Sequence, residues 1–157
     1  MKVISDEQTL VSHASILLSA ATTGDETGNG TSPYNIRALY KRHGLASFSL
    51  QAVDLLQKGV DALSRGDTSA LEDITTRLNA CCPQMVHGLY AAAVTSLVRS
   101  HTPYEEAMKR LNSTEGGYNH FMAQHDQYVE RAAAYMVVAA GLQLLHKAPE
   151  KLEELIH

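Results

Sequence analysis

Eight histidines in 157 residues are the first feature with chemical potential, because imidazole is the commonest protein ligand for transition metals. Ligands on one helix must stand three or four positions apart to point at one ion. His120 and His125 are five apart, about 140° around a helix, and neither HExxH nor ExxH occurs. A metal centre would therefore have to be assembled from His87, His101, His120 and His125 on different helices. No resident metal, haem or other cofactor is expected.

His125-Asp126 has the look of the HD pair of metal-dependent phosphohydrolases, yet no Asp follows Asp126 to complete such a set, and only Glu130 could substitute. Arg37 and His43 have the RxxxxxH spacing of some helical RNases, but on a short early helix closed by Gly44. A third constellation is acid–base: Tyr118, His120, His125, Tyr128 and Glu130 gather where a long helix passes from wet to dry, and partial burial there shifts pKa values. His and Tyr are also the residues expected at such a boundary, with the ring packed and the polar tip in water. There is no GxSxG, Cys/His pairing or Rossmann fingerprint to support covalent catalysis or dinucleotide binding.

The element that must position these groups is a helix from about Tyr118 to Lys147. Phe121, His125, Tyr128 and Ala132 fall on one face of its first half, while Gln124, Gln127, Glu130 and Arg131 crowd another. Its second half, Ala132 to Leu145, is apolar on every side except at Gln143. That stretch is too short to cross a bilayer, which takes about 20 residues, so it reads as a buried core helix. The small-residue run Leu89 to Val94 is its expected partner.

The other segments read as covering helices. Ser5 with Gln8 forms a capping box before Leu10, Ala14, Leu17 and Ala21. Residues 22–32 are a Gly-rich flexible loop without the lysine of a phosphate-binding loop. Ser32-Pro33 starts a short helix that ends at Gly44, and Leu50, Val53, Leu56, Val60 and Leu63 mark the next, which ends at Gly66. Ser69 with Glu72 predicts a further start, Pro83 another that runs to about Ser100, and Thr102-Pro103 with Glu105 a last short helix burying Tyr104, Ala107, Met108 and Leu111. These last two are expected to form a hairpin. Leu152, Leu155 and Ile156 belong to a terminal turn. No alternating apolar-polar run suggests a strand. The fold class is therefore all-α, one domain over residues 1–157, with about six main helices around a buried C-terminal helix 118–147.

Composition supports this: 45% of residues are hydrophobic and 19% charged. A net charge of −4 with scattered Lys and Arg argues against nucleic acid. Acidic residues in MKVISDEQTL stand where a signal peptide would be apolar, so a cytoplasmic location with no membrane association is expected. Adjacent Cys81 and Cys82 suit neither a CxxC pair nor a zinc knuckle, and read as reduced core hydrophobes.

From Leu56 to Ala93 the chain resembles a degenerate tetratricopeptide repeat, with Gly59, Gly66 and Pro83 at the small, inter-helix and closing positions. The resemblance implies a helical-hairpin scaffold that binds peptides or partner proteins, as in small adaptors and secretion chaperones. With catalytic signatures missing, the sequence favours a protein–protein interaction role, as adaptor, chaperone, immunity or regulatory subunit. Its surface would include Tyr34, Tyr40 and Tyr104, and its partners a protein and a second copy of the chain. The alternative is a helical-bundle enzyme or sensor holding a metal or small ligand through its His, Tyr and Glu residues.

Overall fold

A computed structural model describes residues 35–156, and these contain six α-helices, one 3-10 turn and no strand. The first predicted helix, the loop 22–32, Ser32-Pro33 and Tyr34 lie outside the described residues.

Helix α1 (Ile36–Arg42) is capped by Asn35, whose Oδ1 accepts from Ala38 N at 2.9 Å. Its first N–H groups are satisfied from another helix: Ile36 N donates to Gln57 Oε1 at 2.7 Å, and Gln57 Nε2 donates to Asp61 Oδ1 at 3.1 Å. A buried glutamine is thus tolerated because both ends of its amide are used. At the other end Gly44 adopts φ 60°, and Leu45 N reaches back to Tyr40 O at 3.1 Å, the left-handed closure that glycine permits. A 3-10 turn (Ser47–Ser49) leads into α2 (Leu50–Arg65), which Gly66 closes at φ 68°. Asp67 N bonds Ala62 O at 2.9 Å in that closure, and Asp67 Oδ1 accepts from Ala70 N at 3.1 Å to start the next helix. The cap is therefore Asp67 and not Ser69, since one residue serves both ends of the turn.

Helix α3 (Thr68–Arg99) is 32 residues long and runs straight through Pro83, where a new helix was expected. Proline removes the bond to Asn79 O and normally breaks a helix at a cost of about 3 kcal/mol. Here Leu78, Cys82, Val86 and Leu89 are buried on one face on both sides of it, and that packing outweighs the local cost. Pro83 itself lies on the exposed side. Nor does Thr102-Pro103 make a turn. Only Ser100 separates α3 from α4 (His101–Lys109), and it keeps helical angles, φ −69° and ψ −18°. A buried line of Leu89, Ala93, Ser96, Ser100, Pro103 and Ala107 continues through the junction at spacings of three and four. The expected hairpin is thus a near-continuous rod, with Tyr104, Met108 and Leu111 exposed and only Ala107 of the four buried.

The chain returns through Gly116 and Gly117, both at positive φ, into α5 (Tyr118–Lys147), and ends in α6 (Pro149–Ile156). Helix α5 packs most extensively against α3, as the run Leu89 to Val94 suggested, and also touches α1, α2, α4 and α6. The pairing is antiparallel: Ser100 O meets His125 Nδ1 at 3.2 Å, and Asn79 Oδ1 meets His146 Nε2 at 2.9 Å. Between Ala132 and Leu145 only Ala133, Met136 and Gln143 escape full burial. Across from it, α2 sits close because glycines face leucines: a Cβ on Gly141 would fall 2.7 Å from Leu56 Cδ2, and one on Gly59 would collide with the Leu145 methyls. The result is one all-α domain around a buried helix. No helix among the described residues is long and apolar enough to cross a membrane.

Candidate functional site

The passage of α5 from wet to dry is where two clefts open, and Arg131 stands between them. Its Nε donates to His43 O at 3.0 Å, and its guanidinium lies 5.5 Å from the centre of the Tyr128 ring, a cation–π contact with a residue three positions back on the same helix. Among the described residues, no carboxylate reaches ion-pair distance of Arg131. One cleft, of about 530 Å³, lies between α4 and α5 and is lined by Arg99, Thr102, Glu106, Phe121, Gln124 and Tyr128 together with Gln127 and Arg131. The other, of about 420 Å³, lies between α5 and the end of α1, where Lys41, Arg42, His43 and Glu130 join the same Gln127 and Arg131.

Charge is uneven here. The second cleft carries Lys41, Arg42 and Arg131 against Glu130, in a chain whose net charge is −4. The His43 imidazole is held below its ordinary value of 6.5, chiefly by burial, which Glu130 opposes and Arg42 and Arg131 reinforce. The environment therefore favours the neutral ring.

The sequence-derived candidates are only partly brought together. Tyr128 lines the first cleft and Glu130 the second. His125 is half-buried, with Nδ1 on Ser100 O and its ring 5.4 Å from that of Tyr104, so it ties α4 to α5. Tyr118 is half-buried at the start of α5, while His120 is exposed with its ring edge on Phe121, 5.2 Å between centres. His87 and His101 are exposed on α3 and α4. Among the described residues, no three His, Cys, Asp or Glu side chains group so as to hold a metal ion. Arg37 is paired with Asp54 at 2.9 Å. Tyr40 is half-buried against the core, and Tyr104 is exposed.

The Cys82 thiol is not a poised nucleophile. Burial, with Cys81 alongside, pushes the Cys82 thiol up to about 11, and its Sγ rests 3.8 Å from Leu142 O. Tyr90 is also raised by burial, its hydroxyl donating to Gln143 Oε1 at 3.1 Å, which satisfies the one polar residue of the apolar run.

Arg99, Arg131, Lys41 and Arg42 were not among the candidates. The signal available was the polar row Gln124, Gln127 and Arg131, spaced three and four apart, which places three hydrogen-bonding side chains on one face of α5. Comparison with family models, curated proteins and solved structures finds no match for the chain.

Proposed function

We propose that this chain works by presenting a helix face to another protein chain in the cytoplasm, in the manner of an adaptor, chaperone, immunity or regulatory subunit, and that a second copy of itself is one such partner. One observation carries the reading. Along the α3–α4 rod and into the turn that follows it, Val94, Val98, His101, Tyr104, Met108 and Leu111 follow one another at spacings of four, three, three, four and three on a flank beside the buried line. Val98 is 61% exposed and Leu111 54%, far more than apolar side chains gain from facing water. Such spacing matches the knobs of a helix laid alongside another.

The row is also nearly palindromic. Turned end over end about the midpoint between Thr102 and Pro103, Val94 falls on Leu111 and His101 on Tyr104, while Val98 falls one position short of Met108. A two-fold dimer needs a surface that complements itself, and an antiparallel pair of these rods brings Val94 to Leu111 and His101 to Tyr104, with Val98 and Met108 one position out of register. The free thiols Cys81 and Cys82 suit a reducing compartment. The tetratricopeptide-like resemblance points to the same class of work through Gly59 and Gly66, while its third residue, Pro83, lies inside α3 and closes no hairpin.

Light scattering behind a sizing column tests it. The wild-type chain should weigh as a dimer at tens of micromolar, and Val98→Glu with Met108→Glu should weigh as a monomer with an unchanged far-ultraviolet spectrum. A wild-type monomer throughout that range, or a dimer indifferent to both changes, would falsify the self-pairing.

A further inference from the structure

We infer that Arg131 is the centre of a binding site for a small organic anion, a phosphate ester with an aromatic or other flat apolar portion. The two clefts share Gln127 and Arg131, so a ligand on the guanidinium has access to both. They differ in chemistry in a way that assigns an end of the ligand to each. Among the described residues, the cleft towards α1 supplies Lys41 and Arg131, with Arg42 beside them, against the carboxylate of Glu130. A doubly charged phosphoryl group fits that excess. The cleft towards α4 supplies the rings of Phe121 and Tyr128, the ring of Pro103 and the amides of Gln124 and Gln127, which suit a flat body with a few polar edges.

Arg131 is prepared for the task. Its Nε donates to His43 O and its Cζ lies over the Tyr128 ring, which holds the side chain without using its terminal nitrogens. Among the described residues those two nitrogens have no hydrogen-bond acceptor. A fork held in place with free donors is what bidentate recognition of a phosphoryl group requires. An anion there would also oppose the two arginines that help hold His43 neutral. The site lies on the Arg99, Thr102 and Glu106 side of the rod, away from the row of Val94, Val98 and Met108, so it stands apart from the dimer reading.

Calorimetric titration of the full chain at low salt, with phenyl phosphate and with inorganic phosphate, tests the site. Phenyl phosphate should saturate one site per chain more tightly than inorganic phosphate. Arg131→Gln should weaken it roughly tenfold or more, and Arg131→Lys less, since one charge remains but the fork is lost. Tyr128→Ala should erase the advantage of phenyl phosphate over inorganic phosphate. Arg77→Gln, which removes an exposed cation elsewhere on α3, should change nothing. Absence of saturable binding overturns the inference, as does an equal loss in Arg77→Gln, which would mark a general charge effect. Should Arg131→Gln fail to fold, exposed Arg99→Gln is decisive: unchanged affinity for phenyl phosphate rejects the site.

Discussion

Val138→Asp is expected to leave little folded protein at neutral pH. Val138 is fully buried in the apolar half of α5. Its surroundings are apolar on every side, so a carboxylate there meets neither water nor a donor. An unpaired charge in such a place costs several kcal/mol, on the order of 4 or more. A domain of this size has only about 5–15 kcal/mol to lose. The variant has an internal check through its own titration. The buried carboxyl would have a raised pKa, so stability should be lowest well above that value and partly recover as pH falls and the group takes up a proton. Met136→Asp, at a half-buried position one turn edge away, should be milder, because its carboxylate can reach water. Urea unfolding of both variants at pH 7 and pH 5 measures the difference. A Val138→Asp midpoint close to wild type would mean that this helix is not the core.

The second large effect is expected at Gly141. In an ordinary exposed helix, Gly→Ala gains about 1 kcal/mol of helix propensity. Here the sign should reverse, since the new Cβ would stand 2.7 Å from Leu56 Cδ2 in a packed interior. Gly141→Val should cost roughly 2–4 kcal/mol, the upper part of the range for overpacking a core. Leu56→Ala alone should cost about 2–5 kcal/mol by leaving a cavity. Combined, Gly141→Ala and Leu56→Ala should cost clearly less than the sum of the two, because the added methyl occupies part of the space the leucine left. Additive costs, or a stabilising Gly141→Ala, would show that α2 and α5 do not interlock at this point.

Much of the architecture was legible in the sequence. The run Ala132 to Leu145 announces its burial because no face of it is polar, and Gly44 and Gly66 announce helix ends because only glycine accepts those angles cheaply. The two proline misreadings share one cause. Pro83 and Thr102-Pro103 are local signals, and each was overruled by burial lines contributed by residues on either side: Leu78 and Cys82 into Val86, and Ser96 and Ser100 into Ala107. Ser69 yielded to Asp67, which caps α3 from within the Gly66 turn. Tyr104, Met108 and Leu111 have helical spacing, which tells that they share a face but not that a neighbour covers it. The clefts were harder to foresee. Arg131 meets His43 across 88 positions of chain, and nothing in either local pattern encodes that meeting. The polar row on α5 was visible, whereas the arginine's partner was not.

The antiparallel pairing of the α3–α4 rod with α5 has a kinetic consequence. Its contacts form a ladder whose rungs are increasingly distant in sequence: Ser100 with His125 spans 25 positions, Cys82 with Leu142 spans 60, and Asn79 with His146 spans 67. Each rung, once made, shortens the loop the next must close, and even a doubled loop costs only about 0.6 kcal/mol more. The ladder can therefore zip from the glycine turn at 116–117. By contrast, Ala46 N on Tyr135 Oη and His43 O on Arg131 Nε join positions 89 and 88 apart, and both need α5 already in place to receive them. Low contact order in one half and high in the other predicts an ordered assembly, with the rod and α5 in the transition state and the α1 turn docking after it. In stopped-flow experiments Leu89→Ala should then slow folding, while Tyr135→Phe should leave the folding rate untouched and quicken unfolding. The opposite partition would place the nucleus at the α1 turn.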